Sequence, residues 1–412
     1  MPLYEGIGLV GDKHAVVLDV GTAYTKCGFA GEVAPRFIIP SKIYDWKSDK
    51  TISVVDFERP AEEQHKIFAE FLHRLYYKYL LVNPKDRRVV LVESVLTPTN
   101  YRNTLARVLF HQYEVPSVIF APCHLVSCFP LGCQNAMVVD VGYRETLVLP
   151  VFEGVPMLNS CEVAPIGAKA IHDRISKELE ACEVNSAIGT VMVSECPEII
   201  TDELVEDIKV RTCFVTHLDR GHQIQAASAA SLTAEDLTTE DTPKIPTPPP
   251  DVDFPLEGDK LLKLRGAIRE SVMEILFEPD VDGRSLPTLI LDSLLRVPID
   301  LRKPLLERIL VTGGSVMVPG FMARLKAELL GLLDSERYQD RLPLKTVKFF
   351  KAPSKPNYTA WLGAAIFGSL EILPHRSVSR ESYLDSPYIP DWTSFQGSRG
   401  DPLNGGGGEC QG

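Results

Sequence analysis

The 412-residue chain is long enough for two or more domains, and its 45% hydrophobic and 24% charged residues are ordinary for a globular protein. The formal net charge of -12, from 43 basic and 55 acidic residues, argues against a nucleic-acid partner, because phosphate contacts need clustered Lys and Arg. No apolar run approaches the roughly 18 residues of a membrane span, and the N-terminus lacks a basic leader followed by an apolar segment. We therefore expect neither direct membrane insertion nor secretion.

Nine cysteines are present, an odd number with no Cys-x-x-Cys pair. Cys123, Cys128 and Cys133 are evenly spaced, and that spacing distributes side chains around a helix instead of converging them on a metal. The pattern favours reduced cysteines that serve as small hydrophobic residues in a cytosolic protein.

The first half of the chain alternates strand and helix patterns. Short apolar runs predict strands, and apolar residues at helical spacing predict the helices between them. The predicted strands cover residues 15–18, 25–30, 89–92 and 117–120, and the predicted helices cover 67–79 and 101–113. Asn83-Pro84 ends the first helix. Strands separated by helices of this size indicate βαβ units, hence an α/β fold with a largely parallel sheet.

A weak internal repeat divides the chain. Residues 16–21 (VVLDVG) are echoed about 120 residues later by residues 137–142 (MVVDVG), and each copy is followed by another β-prone run and a Gly-containing turn. Two copies of one strand–turn–strand unit suggest two related lobes that face a cleft.

Two segments have a different composition. Residues 226–250 are rich in Ala, Ser, Thr and acidic residues and end in a proline run, so we expect a solvated loop, with docking to a partner as the alternative. From residue 393 onward the chain is rich in Gly, Ser and polar residues, and residues 393–412 are expected to form a disordered tail.

Asp-x-Gly at the end of an apolar strand suits phosphate binding. The tight turn directs backbone N–H groups at a phosphate, and the Asp can hold a hydrated Mg²⁺. Asp19 and Asp140 stand in two such turns, and a third Gly-rich element, residues 313–315, follows another apolar strand. Paired glycines allow backbone to lie against a base or ribose.

These elements closely resemble the nucleotide loops of actins and actin-related proteins. The matching segments are residues 19–32 (DVGTAYTKCGFAGE), 140–142 (DVG), 207–209 (DIK), 213–215 (CFV), 313–321 (GGSVMVPGF) and 361–367 (WLGAAIF). The resemblance extends to about Tyr383 and implies the two-lobed actin/Hsp70/hexokinase-type ATPase fold, with duplicated βββαβα cores around a nucleotide cleft.

The implied division has four parts. The first lobe covers residues 1–136, with a reduced small subdomain at about 36–63, and the second covers 137–370 and includes the loop at 226–250. Residues 371–392 are expected to return to the first lobe, ahead of the tail.

The resemblance also assigns candidate site residues for ATP or ADP. The positions that match nucleotide or phosphate ligands are Asp19, Gly21, Thr22, Lys26, Asp140, Gly142, Lys209, Gly313, Gly314 and Ser315. Asp19 and Asp140 would hold Mg²⁺ through water, and Lys26 would pair with the β- and γ-phosphates.

Other positions depart from the actin pattern. Cys123 and Leu147 stand where actins place a Gln and a His near the attacking water, and neither can orient a water and accept its proton. Tyr143-Arg144 replaces Asp-Gly in the second loop, and Val210 replaces an acidic residue that faces the ribose. Arg144 would either supply charge to a phosphate or face solvent. The departures predict no catalytic residue, and a nucleotide that is bound without turnover or a cleft that is only structural.

Actins carry a small subdomain with a long mobile loop that reaches into the barbed-end groove of the neighbouring subunit. Here only residues 42–63 fill that interval, and residues 51–57 alternate as a short hairpin would. A protomer that lacks one of two complementary surfaces ends a head-to-tail filament. Its barbed face would bind an actin-related filament, and its pointed face would be left for other partners.

Within the family, four segments resemble one class of actin-related subunit: residues 1–6, 81–84, 87–90 and 389–392. Subunits of this class cap the pointed end of the actin-related filament in dynactin, which is the adaptor complex of cytoplasmic dynein. The resemblance implies a cytoplasmic, cytoskeleton-associated protein whose partners are the filament subunits and the other pointed-end subunits of dynactin. Two alternatives stay open: an active actin-like ATPase or sugar kinase, and a nuclear actin-related subunit of a chromatin remodeller.

Overall fold

A computed structural model describes residues 13–46, 49–187, 189–233 and 247–390. The predictions for residues 1–6, for 391–392, for the tail at 393–412 and for the central part of the 226–250 loop lie outside these residues. Within them, no helix combines the length and apolar character needed to cross a membrane.

The strands fall into two larger and two smaller sheets. They are β1 Val16–Val20, β2 Tyr24–Phe29, β3 Phe37–Pro40, β4 Lys42–Asp45, β5 Lys50–Ser53, β6 Val89–Glu93, β7 Ser117–Pro122, β8 Ala136–Val141, β9 Thr146–Phe152, β10 Val155–Pro156, β11 Glu162–Ala164, β12 Glu183–Ser186, β13 Gly189–Met192, β14 Val252–Pro255, β15 Leu261–Leu264, β16 Ile309–Thr312 and β17 Val378–Ser379.

The α-helices connect and cover these sheets. They are α1 Ala61–Arg74, α2 Thr99–Arg107, α3 Cys123–Val126, α4 Ala168–Leu179, α5 Asp202–Thr212, α6 Leu218–Thr233, α7 Gly266–Ser271, α8 Leu286–Arg296, α9 Ile299–Leu306, α10 Phe321–Leu333, α11 Thr359–Gly368, α12 Leu373–Arg376 and α13 Arg380–Asp385. Helices α1 and α2 each continue into a short π-helical segment, Leu75–Leu80 and Val108–Gln112.

The first large sheet has the order β17-β7-β6-β1-β2-β3. Strands β1, β2 and β3 form an antiparallel meander, whereas β6 and β7 join β1 in parallel through the α1 and α2 crossovers. Apolar side chains cover both faces of β1, as expected of a central strand with helices on either side. The predicted βαβ units are confirmed.

The second large sheet repeats this plan. Strands β8, β9 and β11 form an antiparallel meander, and β16 joins β8 in parallel. Asp19 pairs with Lys26 across β1 and β2, and Asp140 occupies the equivalent place opposite Leu147 across β8 and β9. The repeat seen in the sequence is therefore a structural duplication, because the two segments hold the same position in two sheets of like topology.

The two smaller sheets lie at the periphery. Strands β12–β15 form a four-stranded antiparallel sheet, and β4 and β5 form a separate hairpin. The predicted hairpin is present, but its second strand ends at Ser53 instead of extending to Phe57. The connection between β4 and β5 spans only residues 46–49.

Each large sheet has its own apolar core. Helices α8, α9 and α10 contribute to the core of the second sheet, whereas α1 and α2 cover one face of the first sheet and α11 covers the other. Trp361 of α11 is fully buried and donates its indole N–H to the carbonyl oxygen of Val17, 3.1 Å away. Strand β17 pairs with β7 of the first sheet. The residue boundaries given for the lobes stay a prediction.

The start predicted for the loop at residue 226 was wrong. The loop expected from residue 226 begins later, because α6 continues through residue 233. Residues 226–230 are mostly alanine, the residue of highest helix propensity, and Ala227 is buried. Composition alone suggested a loop, but an alanine-rich segment can extend a helix that has a surface to pack against.

Candidate functional site

A cavity of about 550 Å³ lies between the two large sheets. The carboxyl ends of β1, β8 and β16 all open into it, the edge at which α/β sheets commonly bind ligands. Its lining includes all ten residues that the sequence assigned to a nucleotide: Asp19, Gly21, Thr22, Lys26, Asp140, Gly142, Lys209, Gly313, Gly314 and Ser315. The structure therefore brings the three sequence motifs into one site.

The first turn carries a charge pair. Lys26 Nζ lies 2.9 Å from Asp19 Oδ2, and both side chains are mostly buried. A hydrogen bond also stabilises this turn, because the Ser41 hydroxyl donates to the carbonyl oxygen of Gly21 at 2.6 Å. Lys26 thus points into the cavity with a carboxylate already beside it.

The second turn has the same backbone plan without a cation. Asp140 faces Leu147 across the strands, where Lys26 stands in the first turn. Burial raises the pKa of Asp140 to about 6; the charge of Lys26 opposes that rise, whereas Asp19 and Glu145 add to it. A divalent cation between the turns would relieve this repulsion between carboxylates.

The two residues that replace Asp-Gly in the second turn line the cavity and also contact neighbouring elements. The Tyr143 ring packs edge-on against His172 of α4, with ring centroids 5.6 Å apart. Arg144 donates from Nη2 to the carbonyl oxygen of Val55 at 3.3 Å and lies over the Phe57 ring. Arg144 also lines the cavity, and its guanidinium links the second turn to the segment that follows the β4–β5 hairpin, a contact that the sequence did not predict; a role of Arg144 toward a phosphate stays a prediction.

Cys123 and Leu147 both line the cavity and are buried. Burial, with further effects from Asp140 and Asp19, raises the pKa of Cys123 well above its usual value, so the thiol stays protonated. His124 is adjacent, its Nδ1 being 2.9 Å from Cys123 Sγ, but it does not line the cavity. Potential ligand atoms of Cys123, His124 and Asp140 lie within 4.8 Å of one another. A thiol hydrogen-bonded to an imidazole accounts for the first two without a metal.

Lys209 is held by a buried polar cluster. Its Nζ lies 2.6 Å from Glu206 Oε2 and 3.0 Å from His172 Nε2. Burial opposes ionisation of Glu206, but hydrogen bonding from His172 and the charge of Lys209 outweigh it and lower the Glu206 pKa to about 2. Lys209 is therefore positioned at the cavity wall by Glu206, and Val210 beside it is 62% exposed with no acidic group to offer a ribose.

The third loop leaves polar atoms without partners. Gly313 has φ +108°, and a Cβ there would lie 2.1 Å from the carbonyl oxygen of Val141, so the close approach of β16 to the second turn requires glycine. Ser315 Oγ and Asn357 Oδ1 line the cavity, are buried and have no hydrogen-bond partner in the described protein. Buried polar atoms of this kind normally have partners, and a ligand with its own donors and acceptors would supply them.

Sequence reasoning missed Asn357 and the Glu206–His172 pair. Asn357 lies in a short 3₁₀ helix, Pro356–Tyr358, and only the fold brings this helix to Gly313, whose N–H donates to the carbonyl oxygen of Pro356 at 3.1 Å. Glu206 lies one helical turn before Lys209, so the helical spacing of the pair was a usable signal.

The charges on the cavity wall fit a nucleotide only with its metal. Five carboxylates and three cationic side chains line the cavity, namely Asp19, Glu93, Asp140, Glu145 and Glu206 against Lys26, Arg144 and Lys209. A bare polyphosphate would be repelled by this wall, whereas Mg²⁺ held through water by Asp19 and Asp140 would compensate both sets of negative charge. The residues present therefore fit a magnesium–nucleotide, and the cavity volume is in the usual range for such a ligand.

Comparison with known proteins gives a consistent result. The family model described as Actin matches residues 10–387. Actin-related protein 10 of Dictyostelium discoideum is 25% identical, over 92% of this chain and 89% of that protein. Putative actin-29 of the same organism is 24% identical, over 90% of this chain and 95% of that protein. With its two-lobed actin-type fold and its cleft between duplicated sheets, the chain belongs to the actin family.

Proposed function

We propose that this chain binds a magnesium–adenine nucleotide as a structural ligand and does not turn it over at a useful rate. The ligand would lie between the two turns, with Asp19 and Asp140 on the metal's water shell, and with Ser315 and Asn357 available to the nucleoside. When bound, Mg²⁺ supplies positive charge beside Asp140, the wall carboxylate that stands opposite Leu147 with no cation in that place.

The register of the second turn supports the absence of turnover. Hydrolysis needs a group that orients water and accepts its proton. The place opposite Asp140 is filled by Leu147, and Cys123 is a buried thiol whose raised pKa keeps it protonated. Neither side chain can perform this step.

Extraction of nucleotide from the purified full-length protein tests the binding half of the proposal. We expect adenine nucleotide in near-stoichiometric amount, and its release when Mg²⁺ is chelated. Protein that is folded, free of nucleotide and unable to bind added Mg–ATP or Mg–ADP would contradict it.

We further propose that the chain caps the pointed end of the actin-related filament of dynactin. The observation that carries this proposal is the short β4–β5 hairpin, whose strands are joined by residues 46–49 alone. Lys42 at its base lies 2.8 Å from Asp202 and 3.4 Å from Glu203 of α5. The hairpin is thus tied across the cleft to the second lobe and offers no long loop to a neighbouring subunit.

A subunit of this shape would attach to a filament through its barbed face and leave no site for the next subunit. Its remaining partners would be the other pointed-end subunits of dynactin, in the cytoplasm, where the complex supports dynein-driven transport along microtubules. Similarity to an actin-related protein as well as to a putative actin supports this placement in the family.

Purification of the tagged chain from cells, followed by imaging of the complex, tests the cap directly. We expect a complex with an actin-related filament and the chain at one end only. Recovery with chromatin and histone-handling subunits would contradict the proposal and favour the nuclear alternative.

A loop insertion tests whether the short β4–β5 connection is the reason that the chain ends a filament. Replacing residues 46–49 with a long actin-type loop should allow subunits to add beyond the cap, because the missing contact is restored. The matched control places an insert of the same length in the β14–β15 turn at Gly258, which lies on the peripheral sheet. Equal effects of the two insertions would contradict the role assigned to the hairpin.

A further inference from the structure

The chain passes from the first large sheet to the second through residues 123–135, here called the crossover segment. Strand β7 ends at Pro122 in the first sheet, and β8 begins at Ala136 in the second. The segment starts at the cavity wall with Cys123 and contains α3 and a 3₁₀ turn, Phe129–Leu131. Any covalent change within it acts on a connection between the two halves of the molecule.

The crossover segment brings two cysteines together. The carbonyl oxygen of Cys128 accepts the N–H groups of Leu131 at 3.2 Å and of Cys133 at 3.4 Å, which closes a tight turn. Gly132, at φ 59°, supplies the left-handed residue that this turn needs. Cys133 Sγ lies 3.8 Å from the same carbonyl oxygen, so its side chain folds back over Cys128.

The two thiols differ in exposure. Cys128 is 1% exposed and lies at the edge of a small apolar cluster, with its Sγ 3.6 Å from the carbonyl oxygen of His124. Cys133 packs against that cluster from outside and is partly exposed. Cys133 is therefore the sulfur of the two that a reagent in solvent can reach.

The pair is also polarised. The interaction of Cys133 with the neighbouring Cys128 thiol lowers the pKa of Cys133 to about 7; burial opposes this shift, and the backbone N–H of Cys133 and the charge of Arg308 add to it. The same interaction and burial raise the pKa of Cys128. Since the thiolate is the nucleophile in disulfide exchange, Cys133 is the reactive member of the pair near neutral pH.

We propose that Cys128 and Cys133 form an oxidation site in the crossover segment, where a small disulfide such as oxidised glutathione converts the two thiols into one intramolecular disulfide. The Cys133 thiolate attacks one sulfur of the reagent, which gives a mixed disulfide and releases one glutathione thiolate. Cys128 then attacks the Cys133 sulfur and releases the second glutathione, which takes up the Cys128 proton. One reagent disulfide is reduced to two thiols, and two protein thiols are oxidised.

The Cys128–Cys133 disulfide would covalently close the turn at residues 128–133, which two backbone hydrogen bonds close in the reduced protein. This site is independent of nucleotide binding and of filament capping, because neither cysteine lines the cavity. It also departs from the expectation that these cysteines are separated around a helix.

Mass mapping of the full-length protein tests the proposal. The native chain is treated with oxidised glutathione, free thiols are alkylated, and the chain is cut at Leu131, between the two cysteines. We expect two peptides that remain joined until reduction. At pH 7 Cys133 should react about tenfold faster than Cys161, whose pKa is raised by burial.

Three variants separate the steps. Cys133→Ser should abolish both glutathione addition and the linked peptides, Cys128→Ser should leave a persistent glutathione adduct on Cys133, and the control Cys161→Ser should behave as the wild type. If a variant fails to fold, the mapping of wild-type protein still decides the matter. Absence of the 128–133 link in native protein, or an unresolved adduct on wild-type Cys133, would overturn the proposal.

Discussion

The two turns that face the cavity share a backbone and differ in the residue opposite the aspartate. In the first turn, Asp19 pairs with Lys26 at 2.9 Å. In the second, Asp140 stands opposite Leu147, and burial raises its pKa to about 6. The two turns therefore have the same backbone geometry, but only the first turn has a cationic side chain beside its aspartate.

This asymmetry has a physical consequence. The first turn is electrostatically satisfied within the protein, whereas the second is satisfied only when a cation is supplied from outside. A bound metal–nucleotide would then hold the two lobes together, because it contacts both turns and supplies the positive charge that the second turn lacks. Four variants, with their controls, test how far this comparison holds.

The largest effect is expected from Lys26→Met. The substitution removes the cation that serves Asp19 directly and Asp140 at longer range. We expect Mg–ATP affinity to fall on the order of 100-fold, measured by equilibrium dialysis, since a charge-assisted contact is lost. The control is Leu147→Met at the equivalent position, which should change affinity little. An equal loss of Mg–ATP affinity in Lys26→Met and Leu147→Met would contradict the proposed electrostatic difference between the two turns.

The next test makes the same chemical change in each turn of nucleotide-free protein. Asp19→Asn breaks the pair with Lys26 and should lower the free energy of unfolding by about 1–2 kcal/mol at pH 7. Asp140→Asn should raise it by about 1–2 kcal/mol, because ionised Asp140 is unfavourable there. Urea unfolding measures both.

The pH dependence gives the sign of the second effect. Folding raises the pKa of Asp140 from 3.8 to about 6, so its proton stabilises the fold at low pH, and that contribution is lost as the pH rises through 6. The gain from Asp140→Asn should therefore be full above pH 6 and disappear below about pH 4. A gain that persists at pH 4 would have another cause, such as altered packing.

The smallest effect is expected from Arg144→Met. The variant loses the hydrogen bond to Val55 and the contact with Phe57, which should cost about 0.5–1 kcal/mol of stability in urea unfolding. Arg144→Lys should retain part of this, because it keeps a cation near the ring. A loss of nucleotide affinity with unchanged stability would show that Arg144 serves the phosphates instead.

The sequence predicted the fold and ten of the residues that line the cavity. The pattern of a short apolar strand that ends in Asp-x-Gly predicted both turns, and the internal repeat indicated that the two turns are structurally equivalent. Sequence reasoning failed where long-range contacts decide: Arg144 contacts Val55 across the cleft, and only the fold brings the 3₁₀ helix that carries Asn357 to Gly313. It also failed at α6, where packing extends a helix that composition suggested was a loop.

The most direct test of a cleft that binds without turnover is phosphate release from Mg–ATP by purified full-length protein. The wild type should release no phosphate above the rate without protein, and the double variant Cys123→Gln/Leu147→His should raise release by about 100-fold, the typical worth of a positioned proton acceptor. Steady phosphate release by the wild type, at a rate that the two substitutions do not increase, would contradict the account.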